Sequence, residues 1–454
     1  MYSKRENLSV WKRTKSHFLC CARISSVHGV AHIVRPNVSP FERVLWALLV
    51  LSAVGWSITL GLEALDHYQT RPTVISVERD HWNWNVTFPS TTICFDALHT
   101  QSVDKIIREL NITDKKERSK FPEFLEVLAF GKFENYSAFA NYSSDSIYFQ
   151  VDKYVEWVVN SRAPFDPNQF TQKFGEVREF VMTLSEHGLC YTYNSEIAVY
   201  NSYEYWLNNT LELVPTPPAL MVNPSISKPA AILMELTAGY KIFFHGYNEL
   251  PDYYSTPINI PAATASKFQL TLSDLSTSPE VKDLQVSQRH CRLTSEGNLQ
   301  YTPVYSHHLC FMECRMKVYL RVCNCTPYYF RRLGPDPICN PAGMNCLFKN
   351  LEEIEALGIS SCHGCDTNCD EYVFTIDSVE TTDWFLGTNV EWDLIKYPEI
   401  RYKRSLIFSG SNLIVQFGGA TGLLLGASVL SLAEIVFFVT LRFCWCVFGK
   451  RQVD

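Results

Sequence analysis

The 454-residue sequence lacks the short motifs that mark common enzyme classes. It contains no His-Glu-x-x-His metal motif, no Gly-x-Ser-x-Gly nucleophile elbow and no glycine-rich phosphate loop. Internal repeats and low-complexity tracts are also absent, and the contents of glycine and proline are ordinary, so neither a fibrous repeat nor disorder is indicated. Nothing in the sequence therefore predicts catalysis, a cofactor, a resident metal ion or a nucleic acid partner.

Charge is missing from two long apolar stretches, 44–62 and 405–433, and the second continues past a single Glu434 to residue 441. Each stretch is close to or above the roughly 20 residues that cross about 30 Å of hydrocarbon. Two buried core helices are the alternative, but a core helix seldom lacks a polar face over such a length. A removable signal peptide does not fit the first stretch, because a long polar leader precedes it. We therefore expect transmembrane helices at 44–62 and 405–441.

The distribution of lysine and arginine predicts the orientation of these helices. Residues 1–43 contain far more basic than acidic residues, which places this amino-terminal tail in the cytoplasm. Basic residues flank the second helix equally on both sides, so it gives no independent indication. With two spans, the carboxyl-terminal tail 442–454 returns to the cytoplasm and residues 63–404 form an extracellular domain of a multi-pass plasma membrane protein.

Most of the 16 cysteines lie in this extracellular segment. In an oxidising compartment, such an even and clustered set predicts disulfides among Cys94, Cys190, Cys291, Cys310, Cys314, Cys323, Cys325, Cys339, Cys346, Cys362, Cys365 and Cys369. Asn-x-Ser/Thr sequons in the same segment predict N-glycosylation of Asn85, Asn111, Asn135, Asn141 and Asn208. Acidic residues outnumber basic residues there, which indicates either a vestibule that concentrates cations or an ordinary solubilising surface.

Local spacing predicts several elements of the extracellular segment. Residues 68–100 are expected to be extended. Val103, Ile106, Ile107 and Leu110 have the spacing of an amphipathic helix, and residues 121–130 form a second helix candidate. Residues 150–285 predict short strands and loops without a definite order in a sheet. Tyr372, Phe374 and Ile376 alternate as one face of a strand.

The cysteine spacing between residues 310 and 369 suggests a ladder of cross-links. Cys310 and Cys314 share one face of a predicted helix. Asn350 and Glu353 resemble a capping box, and Gly358 is a plausible stop for a short helix. The following cysteines recur at helical spacing, so two antiparallel faces would let Cys310 meet Cys365 and Cys314 meet Cys362. For Cys323 and Cys325 the candidate partners are Cys346 and Cys339.

Spacing alone does not choose among the many possible connectivities. A zinc site is the alternative interpretation of Cys362, Cys365 and Cys369, with His363 beside them. Disulfides are favoured over zinc for these cysteines, because zinc thiolates of this pattern are mostly intracellular.

The second apolar stretch is unusual for a simple anchor. Small residues crowd its middle: Gly418, Gly419, Ala420, Gly422, Gly426, Ala427 and Ser428. They favour close helix packing, or backbone that departs from a helix where it lines a cavity. Glu434 is ionisable, and such residues within a membrane usually face a water-filled path. One Glu434 per subunit around an axis would form an acidic ring, a common device of cation channels, and snorkelling to the headgroups is the alternative.

Together these residues resemble the degenerin/epithelial sodium channel family, also called amiloride-sensitive sodium channels, from end to end. The resemblance rests on His28-Gly29, residues 88–94, Gln288-Arg289-His290-Cys291, Tyr305-Ser306, Cys310, Glu313, Cys314, Cys323-Asn324-Cys325-Thr326-Pro327, Gly418-Gly419, Gly426-Ala427-Ser428 and Glu434. The details of these motifs are most similar to those of the insect pickpocket branch.

The resemblance implies an α+β membrane protein that assembles as a homo- or heterotrimer of related subunits. Each subunit would have two transmembrane helices and a hand-like extracellular domain of β-sheets with a helical finger and thumb. The implied function is passive, voltage-independent movement of Na+ across the plasma membrane, with membrane lipid as surroundings and an amiloride-type compound as blocker. The family pattern makes Gly426, Ala427 and Ser428 the selectivity filter and gives His28-Gly29 an influence on gating.

The resemblance also implies a complete set of disulfides. The pairs would be Cys94–Cys190, Cys291–Cys369, Cys310–Cys365, Cys314–Cys362, Cys323–Cys346 and Cys325–Cys339.

The sequence departs from the family pattern in places that bear on conduction. Phe437 and Phe438 stand where acidic residues often follow the glutamate. Val415 stands where the family usually has glycine, alanine or serine, and a bulkier residue there resembles changes that hold such channels open. We therefore expect a standing current, unless neighbouring small residues compensate for the added volume.

Two further departures lie in the extracellular segment. One disulfide common in vertebrate members is missing between Cys94 and Cys190, and Asp366-Thr367 replaces a Leu-Pro pair. The basic run at 401–404 resembles a convertase cleavage site, but we interpret it as interfacial anchoring because it adjoins the membrane span.

Other functions are compatible with two spans. A cell-surface receptor that binds ligands without conduction is the main alternative, and the small-residue cluster with Glu434 argues against it. An ATP-gated trimeric channel shares the topology but needs a basic phosphate-binding cluster, which is not evident.

Overall fold

The computed structural model describes residues 18–79, 84–142, 146–162, 165–166, 169–208, 210–223, 228–396 and 400–444. Of the predicted tails, residues 1–17 and 445–454, including Cys446, lie outside the described residues. The described helices are α1 Val30–Val34, α2 Pro40–Thr70, α3 Thr100–Glu109, α4 Lys115–Phe130, α5 Tyr154–Asn160, α6 Tyr203–Leu207, α7 Pro279–Lys282, α8 Val286–Arg289, α9 His307–Cys323, α10 Pro341–Lys349, α11 Leu351–Ser361, α12 Gly410–Leu425 and α13 Val429–Phe437.

The described strands are β1 Thr73–Glu78, β2 Val86–Thr87, β3 Ser90–Phe95, β4 Phe170–Gln172, β5 Val181–Ser185, β6 Gly188–Tyr193, β7 Met221–Val222, β8 Ala230–Leu236, β9 Tyr240–His245, β10 Ile258–Ile260, β11 Thr264–Thr277, β12 Glu371–Asp383, β13 Thr388–Lys396 and β14 Arg401–Leu406. The chain divides into two compact units. The first contains Met1–Val74, Asp283–Arg289 and Ser405–Asp454, and the second contains Ile75–Lys282 and His290–Arg404.

The first unit is built around α2. Ser39 caps this helix by accepting a hydrogen bond from the backbone N–H of Glu42, and Pro40 occupies the first turn. The helix is longer than the uncharged stretch 44–62 because its polar ends also stay helical. Among the described residues it is the one unbroken helix that is long and apolar enough to cross a membrane.

The second apolar stretch does not form one helix, which corrects the prediction for 405–441. Residues 405 and 406 belong to β14, because this strand pairs with β11 and β1. Helix α12 ends where Gly426 adopts φ +61°, and Ser428 begins α13 through a reciprocal capping box with Ser431. The two helices meet at an angle of 76° and satisfy the length and composition of a span only together. A π-helix, Phe438–Arg442, follows.

The second unit contains two main sheets. The larger has the strand order β1-β14-β11-β13-β8-β4, with β12 on β11, and the smaller has the order β10-β9-β3-β6-β5. Alternate residues of β11 are buried, as expected for a strand with one face on a core. The core between the strands includes Phe88, Phe268 and Trp392, all fully buried.

Helices α3, α4, α5, α9, α10 and α11 surround a second, aromatic core of this unit. The predicted helix around Val103, Ile106 and Ile107 is confirmed as α3, and the candidate at 121–130 is confirmed within α4. Rings of this core pack edge to face or tilted, for example Phe124 against Tyr148 at a centroid distance of 4.7 Å.

Six disulfides cross-link the second unit: Cys94–Cys190, Cys291–Cys369, Cys310–Cys365, Cys314–Cys362, Cys323–Cys346 and Cys325–Cys339. These are the pairs that the family resemblance implies. Because Cys362, Cys365 and Cys369 are all oxidised in these pairs, they are not available as zinc thiolates.

Some details of the sequence prediction around this ladder are wrong. The amide of Asn350 donates to the carbonyl of Cys346 instead of capping α11, and the helix continues past Gly358 to Ser361. The segment after Cys362 is a turn, because Cys369 N–H pairs with the carbonyl of Arg292 in an extended bridge. The cross-links therefore join a helix to a loop and not two helices.

The basic run 401–404 also differs from its interpretation as interfacial anchoring. It forms most of β14, where Arg401 contacts the buried Asp274 at 2.6 Å and Lys403 contacts Glu78 at 2.8 Å. Arg404 is itself buried. A strand held between two others does not present its backbone to a protease, so the folded chain does not offer a convertase site here.

Candidate functional site

The break between α12 and α13 consists of the tripeptide Gly426-Ala427-Ser428. Gly426 has a left-handed conformation, which favours glycine. A Cβ atom at this position would lie 1.8 Å from Nδ1 of His28, so the imidazole rests directly on the glycine backbone. Glycine is therefore required at Gly426 for two separate reasons.

The amino-terminal segment reaches this break from the other end of the sequence. The backbone N–H of His28 donates to the carbonyl of Leu425 at 2.9 Å. Gly29 follows with φ +84° and lies so close to α2 that a Cβ would be 2.6 Å from Cγ2 of Val50. The predicted residues His28, Gly29 and Gly426 thus come together in one site.

Glu434 also contacts this segment. Its Oε2 accepts a hydrogen bond from the Ser26 hydroxyl at 2.7 Å, and Ser26 Oγ lies 2.9 Å from Ser431 Oγ. Ser431 in turn contacts the backbone N–H of Ser428 at 3.1 Å. A chain of polar groups therefore links the carboxylate to the last residue of the tripeptide.

One face of α12 has no packing within its own chain among the described residues. Val415 is 72% exposed, and a Cβ on Gly418 or Gly419 would meet no atom within 4 Å. Together with Gly422 these residues have the spacing of a single helix face. Val415, Gly418 and Gly419, three of the residues that the sequence predicted for the pore and its gating, therefore share an open surface.

The opposite face of α12 packs on α2 through Phe417. A Cβ on Gly61 would lie 2.5 Å from the ring of Phe417, so the ring fills the space that glycine leaves. Ser57, Gly61 and Ala64 are the buried residues of α2 and form a stripe of small side chains at helical spacing. This stripe fixes how closely α12 approaches α2.

The second unit contains a buried charge cluster that sequence spacing did not indicate. Arg315 of α9 makes a two-pronged contact with Glu186 and a further contact with Asp252 at 3.1 Å. These side chains are at most 6% exposed. The cluster ties the middle of α9 to the β5–β6 turn and to the loop after β9. Such a buried cluster stabilises the fold only while the arginine and its carboxylates are all present, because removing one partner leaves an uncompensated buried charge.

Two histidines near this cluster have opposite electrostatic surroundings. Burial lowers the pKa of His308, but the carboxylate of Glu249, 2.5 Å away, outweighs burial and raises the pKa of His308 to about 9. Burial lowers the pKa of His245 to about 4, and this imidazole instead contacts the Thr92 hydroxyl at 2.8 Å. His308 is thus charged and His245 neutral at pH 7.

The asparagines of the predicted sequons are all exposed: Asn85, Asn111, Asn135, Asn141 and Asn208. Exposure is what a glycan requires. In the part of the chain that the structure describes, no group of three or more histidine, cysteine, aspartate or glutamate side chains could hold a metal ion.

Ser26, Ser431 and Phe417 are site residues that the sequence analysis did not identify. Serine and phenylalanine carry no signal of their own, and Ser26 contacts a residue 408 positions away. The only available indication was that Ser26 lies two residues before the His-Gly pair.

Comparison with known proteins places these features in context. A family model described as "Amiloride-sensitive sodium channel" matches residues 21–438. The chain is 23% identical to Pickpocket protein 28 of Drosophila melanogaster, over 95% of this chain and 79% of that protein. It is 24% identical to Pickpocket protein 11 of the same species, over 95% and 77%. It is 22% identical to the Bile acid-sensitive ion channel of Mus musculus, over 93% and 87%.

Proposed function

The chain belongs to the amiloride-sensitive sodium channel family, and we propose that it is one subunit of a sodium-selective, voltage-independent cation channel of the plasma membrane. Its relatives are ion channels and not enzymes. The observation that carries the proposal is the break at Gly426-Ala427-Ser428, which interrupts an otherwise apolar helix pair and is contacted by the family's His-Gly motif.

In this proposal α2 and the pair α12–α13 are the two spans. Both tails lie in the cytoplasm and residues 63–404 lie outside. Three such subunits, identical or related, surround the pore. The open face of α12 supports this arrangement, because Val415, Gly418 and Gly419 would otherwise leave a small-residue helix surface without a helix to pack against.

Conduction follows from the backbone of the tripeptide. Outside a helix, the carbonyl oxygens of Gly426 and Ala427 are able to replace part of the hydration shell of a small cation. Ser428 narrows the same level, and Glu434 contributes one negative charge per subunit below it. A narrow ring of this kind favours Na+ over the larger K+, and a charged blocker such as amiloride would enter from the outer side.

Expression in oocytes or cultured cells with voltage clamp tests the proposal. The chain is expressed alone and with related subunits, and surface delivery is measured by labelling in the same cells. We expect an inward Na+ current that amiloride reduces. The conductance of the open channel population should not depend on voltage. Efficient surface delivery without any current in all combinations would instead favour a ligand-binding receptor that does not conduct.

A further inference from the structure

A cavity of about 290 Å³ lies between the amino-terminal segment and the end of the second apolar stretch, within the first unit. Residues 18–24 are helical, and one face of this helix supplies a wall of the cavity with Phe18, Cys21 and Ala22. The facing wall recurs at helical spacing in α13 and the π-helix after it, with Ile435, Phe438 and Val439. The ring of Phe18 also lies 6.4 Å from that of Phe443, so the two walls meet there.

The chemistry of this cavity is apolar. Among its described lining residues, the side chains that form hydrogen bonds are Ser25 and Cys21. The hydroxyl of Ser25 already accepts a hydrogen bond from the backbone N–H of Val27 at 3.3 Å, and a thiol is only a weak donor. A polar ligand or an ordered water needs several polar partners, whereas a cavity lined in this way binds apolar molecules. The lining therefore favours a hydrocarbon ligand.

The cavity continues an apolar outer surface. Val439 lines the cavity and is still more than half exposed, as are Val436 and Leu441 near it. Under the proposed function this stretch lies in the cytoplasmic half of the membrane, where the hydrocarbon chains of lipids surround it. The volume is near the lower end of the roughly 300–1,000 Å³ of small-molecule sites, which is room for part of one chain and not for a whole lipid.

A cation lies beside the cavity. The guanidinium of Arg442 stacks over the ring of Phe438, 5.2 Å from its centroid. Arg442 is the first charged residue after Glu434 along the chain. Guanidinium groups bind phosphate well, and a phospholipid whose chain enters the cavity carries its phosphate at the end of the span, where Arg442 stands. The cavity and the cation together match the two parts of a phospholipid.

We propose that this cavity is a lipid site, which holds one acyl chain of a membrane phospholipid while Arg442 binds its phosphate. The chain fills the space between residues 18–24 and the end of the second span, so the contact between them includes lipid as well as protein. Membrane lipid is then a ligand bound at a defined place and not only the surroundings. The placement in the inner leaflet rests on the proposed function, and binding is tested without current.

The binding test uses the full chain in nanodiscs of phosphatidylcholine, a small fraction of which carries a photoactivatable group near the end of one acyl chain. After illumination, the labelled peptides are mapped by mass spectrometry. Leu51, which is 67% exposed on α2, reports the background labelling of a lipid-facing surface. We expect label in residues 18–25 and 435–443 well above this background. Background labelling in both segments would overturn the proposal.

Variants that fill the cavity make the test specific. Ala22→Phe fills it from the amino-terminal helix and Val30→Phe from α1. Ala433→Phe is the matched control, because Ala433 is exposed on α13 and is not among the lining residues. We expect both cavity variants to lose the excess label, Ala433→Phe to keep it, and the labelling of α2 to stay unchanged in all three.

The two cavity variants decide the outcome independently, and the thermal unfolding midpoint identifies those that are folded. Excess label that persists in a folded cavity variant would contradict the site. Arg442→Gln should weaken the label, since it removes the partner of the phosphate. Excess label from photoactivatable cholesterol but not from the phospholipid would also contradict the proposal, because the ligand would be a sterol. A chain that is labelled at the cavity but never conducts would refute the proposed function and leave the lipid site in place.

Discussion

At the scale of single residues, His308 offers a test of the electrostatics of the second unit. The pKa of His308 in the folded protein is about 9, above the ordinary value of 6.5, because Glu249 outweighs burial. A raised pKa of this kind stabilises the fold fully below about pH 6.5, and the contribution is lost as pH rises through about 9. The groups around His308 include Glu249, Asp252 and the carbonyl of Leu250, together with the neutral His245 and the ring of His307.

We therefore expect the thermal unfolding midpoint of the full chain in detergent to fall between pH 7 and pH 9.5. In His308→Gln the part of this decrease in midpoint that comes from deprotonation of His308 should be missing. His363→Gln is the control, because His363 is exposed in the turn after α11. A His308→Gln protein with the wild-type pH profile would show that the His308–Glu249 contact contributes nothing to stability.

At the scale of secondary-structure elements, we propose that the open face of α12 controls how closely the helices of neighbouring subunits approach one another at the pore axis. Val415 is exposed on this face and adds branched volume where three helices are proposed to meet. Overpacking a close contact costs about 1–3 kcal/mol. Every ~1.4 kcal/mol changes an equilibrium constant tenfold, so a cost of this size to the closed state raises the population of the open state by about tenfold or more.

We expect a standing Na+ current in wild type that Val415→Ala or Val415→Gly reduces several-fold. Resting current at matched surface expression is the measurement. Ile414→Ala is the control, since Ile414 is equally exposed but is not part of the Val415–Gly418–Gly419 face. Near-zero resting current in both wild type and Val415→Ala would mean that the neighbouring glycines already accommodate the valine.

The connection between α9 and the turn after α11 gives a second prediction at this scale. The pairs Cys310–Cys365 and Cys314–Cys362 hold this region together. Replacement of Cys314 and Cys362 by serine should cost about 2–5 kcal/mol through loss of the cross-link. The expected result is reduced surface delivery, measured by surface labelling, with the terminal Cys444→Ser as control. Normal delivery of the double variant would show that the Cys314–Cys362 cross-link is not needed for folding.

The sequence predicted elements with a strong local pattern and missed those set by distant contacts. Val103, Ile106 and Ile107 were sufficient to predict α3, because a helix face is written in neighbouring residues. The sheet order was not predictable, since β11 pairs with β12 about a hundred residues later along the chain. The sequence left two alternatives open at the interruption of the second span, close helix packing or a break in the helix, because small residues favour both.

At the scale of the whole molecule, the proposed placement of residues 63–404 outside the cell makes the sequons a topology test. Asn85, Asn111, Asn135, Asn141 and Asn208 are exposed on the second unit. We expect enzymatic removal of N-glycans to increase gel mobility of the expressed chain, and conversion of all five to glutamine to remove this shift. A chain whose mobility does not respond to deglycosylation would argue against an extracellular second unit.

The central claim is that Gly426-Ala427-Ser428 selects Na+ in a channel to which this chain contributes. The measurement is the reversal potential of the current when external Na+ is replaced by K+, in wild type and in Ser428→Cys and Ser428→Val. A shift to negative potentials is expected for wild type, and a smaller shift or loss of current at normal surface delivery for the enlarged side chains, because they change the width of the tripeptide. Identical selectivity across wild type and both variants would contradict the account.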